Sequence, residues 1–223
     1  MNLREAIEQA IERFSEDVRS AVFADDKTPL PNAIALREEA DRIDDGSSKY
    51  DVVVFGDLNR FKGLNDSYGH EAGNIAINQA GENLYRLAIE KLQAQAFRHS
   101  GDEFVLLLQQ AKLKDFISET SSFSEISFTH GKESLKTAMS FGYAINDGSV
   151  NFDELLKRAE MACQYAKDRG DGACVGWSEE MQRNPLVNLR DRCQKCGAKI
   201  SCNVPKQNAP AKLKSCPCCD KSL

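Results

Sequence analysis

No uninterrupted apolar run in this sequence approaches the roughly 20 residues that a helix needs to cross a bilayer, so no membrane span is expected. The opening MNLREAIEQAIERF is too acidic and too amphipathic for a secretory signal, which makes the cytoplasm the expected location. No internal repeat and no low-complexity segment is present. From Met181 onward there is no aromatic residue, which argues against single-strand recognition by base stacking in that segment.

The 223 residues, 41% of them hydrophobic, suffice for one core of ordinary size plus an appendage of a few dozen residues. Charge is unevenly spread. The chain carries −5, but Met181–Leu223 holds nine basic and two acidic residues, a net of +7, leaving −12 on the remainder. Such asymmetry fits a body with a basic arm that meets an acidic partner, or a solvated basic tail. Of the eight cysteines, Cys163 and Cys174 lie in apolar surroundings and six lie between 193 and 219. Without a secretory signal, metal binding is favoured over disulfide pairing.

Residues 2–22 space apolar side chains by three or four (Leu3, Ile7, Ala10, Phe14, Val18, Ala21), which predicts an amphipathic helix that packs on the body or dimerises. ADDKTPLPN breaks it, and AIALREEADRI resumes a helix with Asn32 as its cap. YDVVVF (50–55) is a buried strand ending at Gly56-Asp57, followed by a polar loop and a helix with Ile77, Ala80, Leu84 and Leu87 on its apolar face. AFRH and EFVLLL flank Ser100-Gly101-Asp102 as a hairpin. A helix from about Lys112, a strand through LKTAMSFGYA, a helix through FDELLKRAEMACQYAK and a strand at ACVGW complete the body. The expected fold class is α+β, with helices covering a mainly antiparallel sheet. The expected domains are an N-terminal helix (1–25), the body (26–178), a polar linker (179–191) and a cysteine-rich module (192–223).

If the hairpin pairs beside the first strand, Asp57 and Asp102 meet at one edge of the sheet. Two neighbouring carboxylates repel, and a divalent cation or a shared proton relieves them. An incomplete set of oxygen ligands suits Mg²⁺ held jointly with substrate phosphates, and ordinary turn acids are the alternative. Between the two acids, GDLNRFKGLNDSYGHEAGN adds Lys62, Asn65, His70, Gly73 and Asn74, a run of hydrogen-bonding groups with glycines that admit a ligand to the backbone, or a capped turn before a helix.

DLNRFKGLNDSYGHEAGN followed by RHSGDEF resembles the two signature segments of the GGDEF family, the diguanylate cyclases, DxDxFKxxNDxxGHxxGD and GGDEF. KTPLPNAIAL resembles its opening motif LTxLPNR, and MSFGYA with AEMACQYAKDRGDGACVG resembles its closing strand and its AKxxGRN segment. The likeness covers roughly residues 26–178. It implies a palm-like nucleotidyl cyclase fold and condensation of two GTP into cyclic di-GMP, one nucleotide per subunit of a homodimer. It further implies that Asp57, the Leu58 carbonyl and Asp102 bind Mg²⁺ (or Mn²⁺), with Asp102 assisting deprotonation of the attacking 3′-hydroxyl and Glu103 beside it. Lys62 and Lys167 would face phosphates, and Asn65 and Asn74 the base.

Departures accompany the match. Asn74 replaces a guanine-reading aspartate; a carboxamide presents one acceptor and one donor, a set that matches adenine better than guanine. Asp171 replaces a phosphate-binding arginine, for which Arg169 is a substitute by another path. Ser100 replaces a glycine and Asn59 an acid. The RxxD product site corresponds to Lys91–Ala94 and is absent, so feedback inhibition by that route is not expected. Beside the cyclase, two readings stay open: a degenerate nucleotide-binding or dimerising interaction module, and an oligonucleotide-making polymerase palm of the CRISPR-signalling kind.

Cys193, Cys196, Cys216 and Cys219 form C-x2-C, a 19-residue spacer and C-x2-C, the spacing of a zinc ribbon in which four thiolates hold structural Zn²⁺. Cys202 and Cys218 have no assigned task. The basic ribbon would meet nucleic acid or an acidic protein surface.

Overall fold

The computed structural model describes residues 17–184, 186–192, 199–206, 215–216 and 221–222. Its centre is β1 (Val52–Leu58), a run of β-branched and aromatic residues buried almost throughout. Such a strand needs neighbours on both sides, and it has them. The hairpin β2 (Gln95–Ser100) and β3 (Glu103–Leu108) lies on one side, with β5 (Glu133–Ile145) on the other, and β3 and β5 both run antiparallel to β1. β4 (Glu125–His130) pairs antiparallel with β5, giving the order β2-β3-β1-β5-β4, and β6 (Cys174–Gly176) adds parallel to β5. The sheet is mainly antiparallel, as expected.

Alternation along β1 feeds two cores. Val52, Val54 and Leu58 face a cluster that takes Ala76, Ile77, Ala80 and Leu84 from α3 (Phe61–Arg86) and Phe116 from α4 (Leu113–Phe123). Val53 and Phe55 face a second cluster with Leu36 and Ala40 of α2 (Ala33–Asp44) and Leu155, Ala159 and Cys163 of α5 (Phe152–Arg169). The predicted helical face Ile77, Ala80, Leu84 and Leu87 is buried as a set, Leu87 standing in a π-helical turn, Leu87–Leu92, that extends α3. Asn32 caps α2 as predicted: its Oδ1 accepts from the Ile34 and Ala35 amides at 2.9 and 3.2 Å.

α5 lies against β5 with no room for a side chain between. A Cβ on Gly142 would stand 2.0 Å from the Cys163 amide nitrogen and 2.2 Å from the Ala159 carbonyl oxygen, both backbone atoms of α5. Gly142→Ala is therefore expected to cost about 3 kcal/mol, the upper end for overpacking. The measurement is a fall in the chemical denaturation midpoint at constant slope. An unchanged midpoint would mean that α5 lifts off freely.

Two expectations meet different outcomes. β4 was not anticipated; its EISFTH is short, and Ile126 and Phe128 are the only buried residues on it. The segment read as a polar linker holds α6 (Glu179–Arg183) and the start of β7 (Leu186–Arg192), which pairs with β8 (Lys199–Pro205); β9 (Ser215–Cys216) pairs with β10 (Lys221–Ser222). Of the N-terminal helix, residues 17–23 are described, as α1; Val18 and Ala21 of its apolar stripe are exposed. The rest of that stripe lies outside the described residues, as do Cys193, Cys196 and Cys219. Among the described residues no helix is long and apolar enough to cross a membrane.

Candidate active site

The buried strand β1 delivers Asp57 to its end, paired in register with Glu103 of β3 and Ser140 of β5, so the three side chains share the face covered by α5. The Leu58 amide donates to the Asp102 carbonyl at 3.2 Å, which docks the hairpin turn onto the end of β1. Asp57, Asp102 and Glu103 are thus brought together, at the end of a central strand rather than at a sheet edge. Lys167, near the end of α5, sets its ammonium 2.5 Å from Asp57 Oδ1, a short ion pair.

Burial pushes the Asp57 carboxyl up to about 6; Lys167 opposes the shift, and Asp102 and Glu103 add to it. Asp102 is also raised, chiefly by burial. Among the described residues no three His, Cys, Asp or Glu side chains form a metal-holding group. Asp57 and Asp102 offer carboxylate oxygens that a cation shared with a phosphate would meet.

Arg98 positions the turn that carries Asp102. Its Nε and NH2 donate to the Gly101 carbonyl at 3.2 and 2.9 Å, while NH1 grips both Asp25 oxygens at 3.2 and 2.9 Å. Arg98 and Asp25 each expose only 10% of the side chain. Gly101 has φ +46° and needs its glycine; Ser100 is not in the left-handed region, so the serine costs no strain, and its hydroxyl donates to Glu103 Oε2.

After β1 the chain turns through Arg60, at φ +56°, directly into α3, so the region expected as loop is already helical from Phe61. Gly69, at φ +83° and ψ 166°, breaks that helix. Lys62 is exposed in the first turn, and His70 and Asn74 are exposed beyond the break. Asn65 Oδ1 is buried with no partner, against Gly73, where a Cβ would sit 2.0 Å away. Sequence reasoning missed Arg60, whose NH2 donates to Asp171 at 3.0 and 3.2 Å, while Asn59 Nδ2 donates to the same carboxylate at 2.9 Å. Arg169, the anticipated substitute, is exposed at the end of α5.

A profile of the family described as "Diguanylate cyclase, GGDEF domain" matches residues 22–173. The chain belongs to the GGDEF family. Among curated relatives, the bifunctional diguanylate cyclase/cyclic di-GMP phosphodiesterase MucR of Pseudomonas aeruginosa is 27% identical over 193 residues, 81% of this chain and 27% of its own length. Diguanylate cyclase DosC of Escherichia coli K12 is 26% identical over 195 residues, again 81% of this chain and 42% of its own. This GGDEF chain therefore spans well under half the length of either relative. Among solved structures, the coiled coil and GGDEF domain of DgcB from Caulobacter crescentus, in complex with c-di-GMP, shares the fold at TM-score 0.67 and 20% identity, over 78% of this chain and 95% of that one. The GGDEF domain of PA1120 from Pseudomonas aeruginosa follows at TM-score 0.59 and 25% identity, over 71% and 96%. The palm-like α+β fold is thereby established for the body.

Proposed function

We propose that this GGDEF chain condenses two purine nucleoside triphosphates into a cyclic dinucleotide, acting as a homodimer with one nucleotide per subunit. The observation that carries the reading is the junction of Asp57 and Asp102 at the end of β1, with Lys167 lying on Asp57. Asp57, the Leu58 carbonyl and Asp102 would hold Mg²⁺ or Mn²⁺, which when bound neutralises phosphate charge and orients the triphosphate. Asp102, its proton affinity raised by burial, accepts the proton of the attacking 3′-hydroxyl. The hydroxyl oxygen bonds to the α-phosphorus of the other nucleotide as the bond to pyrophosphate breaks, and the same step repeated closes the ring. Glu103 holds its place beside Asp102 through Ser100, and Lys62 and Lys167 take phosphate charge.

Asn65 and Asn74 face the base. Asn65 supplies a buried acceptor in need of a donor. Asn74 supplies one acceptor and one donor, which pair with N6 and N1 of adenine and leave one guanine donor opposed. The test is mass spectrometry of products from purified protein with Mg²⁺ or Mn²⁺ and GTP, ATP or both, beside Asp102→Ala. A cyclic dinucleotide that disappears in the variant is expected, and its bases report what Asn74 reads. No product under any condition from folded protein would sink the reading.

A zinc ribbon follows the body in this proposal, held by Cys193, Cys196, Cys216 and Cys219. Its support is the donor set together with the strand register: Arg192 pairs with Lys199 across the first cysteine pair, and Cys216 pairs with Lys221 across the second. The thiolates would supply folding energy through the metal, and the basic surface would meet nucleic acid or an acidic protein. Elemental analysis is expected to give one zinc per chain, lost in Cys193→Ser/Cys216→Ser; zinc retained by that variant would refute the ligand set.

A further inference from the structure

The carboxylate of Asp171 stands where a cyclase of this kind would want a cation, yet it is not left bare. Asp171 sits between Gly170 (φ +128°) and Gly172 (φ +76°) in the turn after α5, and a Cβ on Gly172 would lie 2.5 Å from Ser124 Oγ, which fixes the turn in place. Asn59, only 8% exposed, is equally fixed: its amide donates to the Ala138 carbonyl at 2.7 Å and its carbonyl accepts from Thr137 Oγ1 at 3.0 Å. Between these two anchors lies an exposed partner. The Arg60 side chain is 82% exposed against 51% for Asp171, so their ion pair is worth about 1 kcal/mol or less. A hollow of about 290 Å³, lined in part by Asn59, Arg60, Tyr68 and Asp171, opens beside it.

We propose that Arg60 is the phosphate-binding arginine of this chain and that Asp171 parks it until a triphosphate arrives. This rests on the nucleotide-condensing reading above. The geometry has a second instance of the same arrangement: Lys167, in the last turn of α5, and Asp171, in the turn that follows it, meet Asp57 and Arg60, three residues apart on the facing segment. Each pair sets one cation against one carboxylate at the end of β1. A triphosphate offers Arg60 several strongly accepting oxygens in place of one half-exposed carboxylate, and guanidinium geometry suits phosphate bidentately. When Arg60 leaves, Asn59 still donates to Asp171, so the acid keeps a hydrogen bond. Without Arg60, Lys62 and Lys167 alone would face the phosphates against Asp57, Asp102, Glu103 and Asp171. The guanidinium missing from position 171 is therefore supplied from the opposite segment.

The test uses the full chain with Mg²⁺ and 3′-deoxynucleoside triphosphates, which bind but lack the attacking hydroxyl, followed by calorimetric titration. Arg60→Ala is expected to weaken triphosphate binding about tenfold or more, the worth of a charged hydrogen bond, and to weaken the corresponding monophosphate far less. Arg60→Ala with Asp171→Arg is expected to recover most of the lost affinity, because it returns one guanidinium to the same place. Arg60 is exposed, so an unchanged melting temperature is expected for the single variant. Wild-type affinity in Arg60→Ala, an equal loss for mono- and triphosphate, or a double variant no better than the single would each overturn the proposal while leaving the cyclase reading intact. Wild-type protein that binds no triphosphate would overturn both.

Discussion

A chain carrying Asp57→Asn is expected to melt higher than the parent in metal-free buffer at neutral pH, and to lose most of its cyclic dinucleotide synthesis. Asp57 is largely enclosed, its side chain 19% exposed, beside two other acids, and its carboxyl is pushed up to about 6. The folded protein therefore holds that proton more tightly than the unfolded chain does. The stability linked to it is fully present below the unfolded carboxylate range and is lost as pH rises from about 4 through about 6. At neutral pH the buried charge costs on the order of 2 kcal/mol, which asparagine does not incur while keeping an oxygen toward Lys167. For a chain of this length the gain corresponds to roughly 4 °C or more. Melting curves in a chelator at pH 4.5 and 7.5 check it: the gap between variant and parent should be small at the first and open at the second. A variant less stable than the parent at pH 7.5 would mean that the Lys167 pair outweighs burial, against the expectation. Activity should fall by about a hundredfold or more, because a carboxamide neither neutralises a cation nor balances Lys167.

Arg98→Ala should do the reverse, lowering stability and turnover together. Arg98 spans the loop before α2 and the turn before β3, and its ion pair with Asp25 is nearly enclosed, each side chain exposing 10%. Breaking a buried ion pair by removing one partner costs about 3–5 kcal/mol, since the other charge stays buried. Asp25 keeps the Lys27 and Thr28 amides and the Thr28 hydroxyl, which places the expected loss near the lower figure. The Gly101 carbonyl loses two donors, so the turn holding Asp102 loosens and turnover drops. Lysine at this position cannot span both partners and should rescue poorly. Thermal melts and turnover measured on Ala and Lys variants decide the point; a lysine variant with parental turnover would show that charge alone suffices.

The parts of this molecule that depend on local pattern were legible. YDVVVF reads as a buried strand because four apolar residues stand together before Gly56, and Asn32 reads as a cap because its side chain acts two and three residues away. The Ser100-Gly101-Asp102 turn was also readable, and the meeting of Asp57 and Asp102 followed from pairing the hairpin with the first strand. What depended on distant partners was not. Arg60 and Asp171 are separated by 111 residues, and Arg98 and Asp25 by 73. No spacing rule links them, and the left-handed backbone at Arg60, which a non-glycine residue rarely adopts, has no sequence signature. β4 escaped notice because its exposed face is Ser, Thr and Glu over only six residues.

The break at Gly69 divides α3 into two pieces. Lys62 and Asn65 belong to the piece before it, which Arg60 precedes as its N-cap residue, and Asn74 to the piece after it, whose Ala76, Ile77 and Ala80 are locked into the core. On the proposed reading, a change of side chain at 74 alters one base contact from the piece that carries neither Arg60 nor Lys62, while Asn65, the other base contact, stays on the same side of the break as those two. In lineages built on this scaffold, the base contact proposed at 74 is free to change without moving the phosphate grip proposed at 60 and 62.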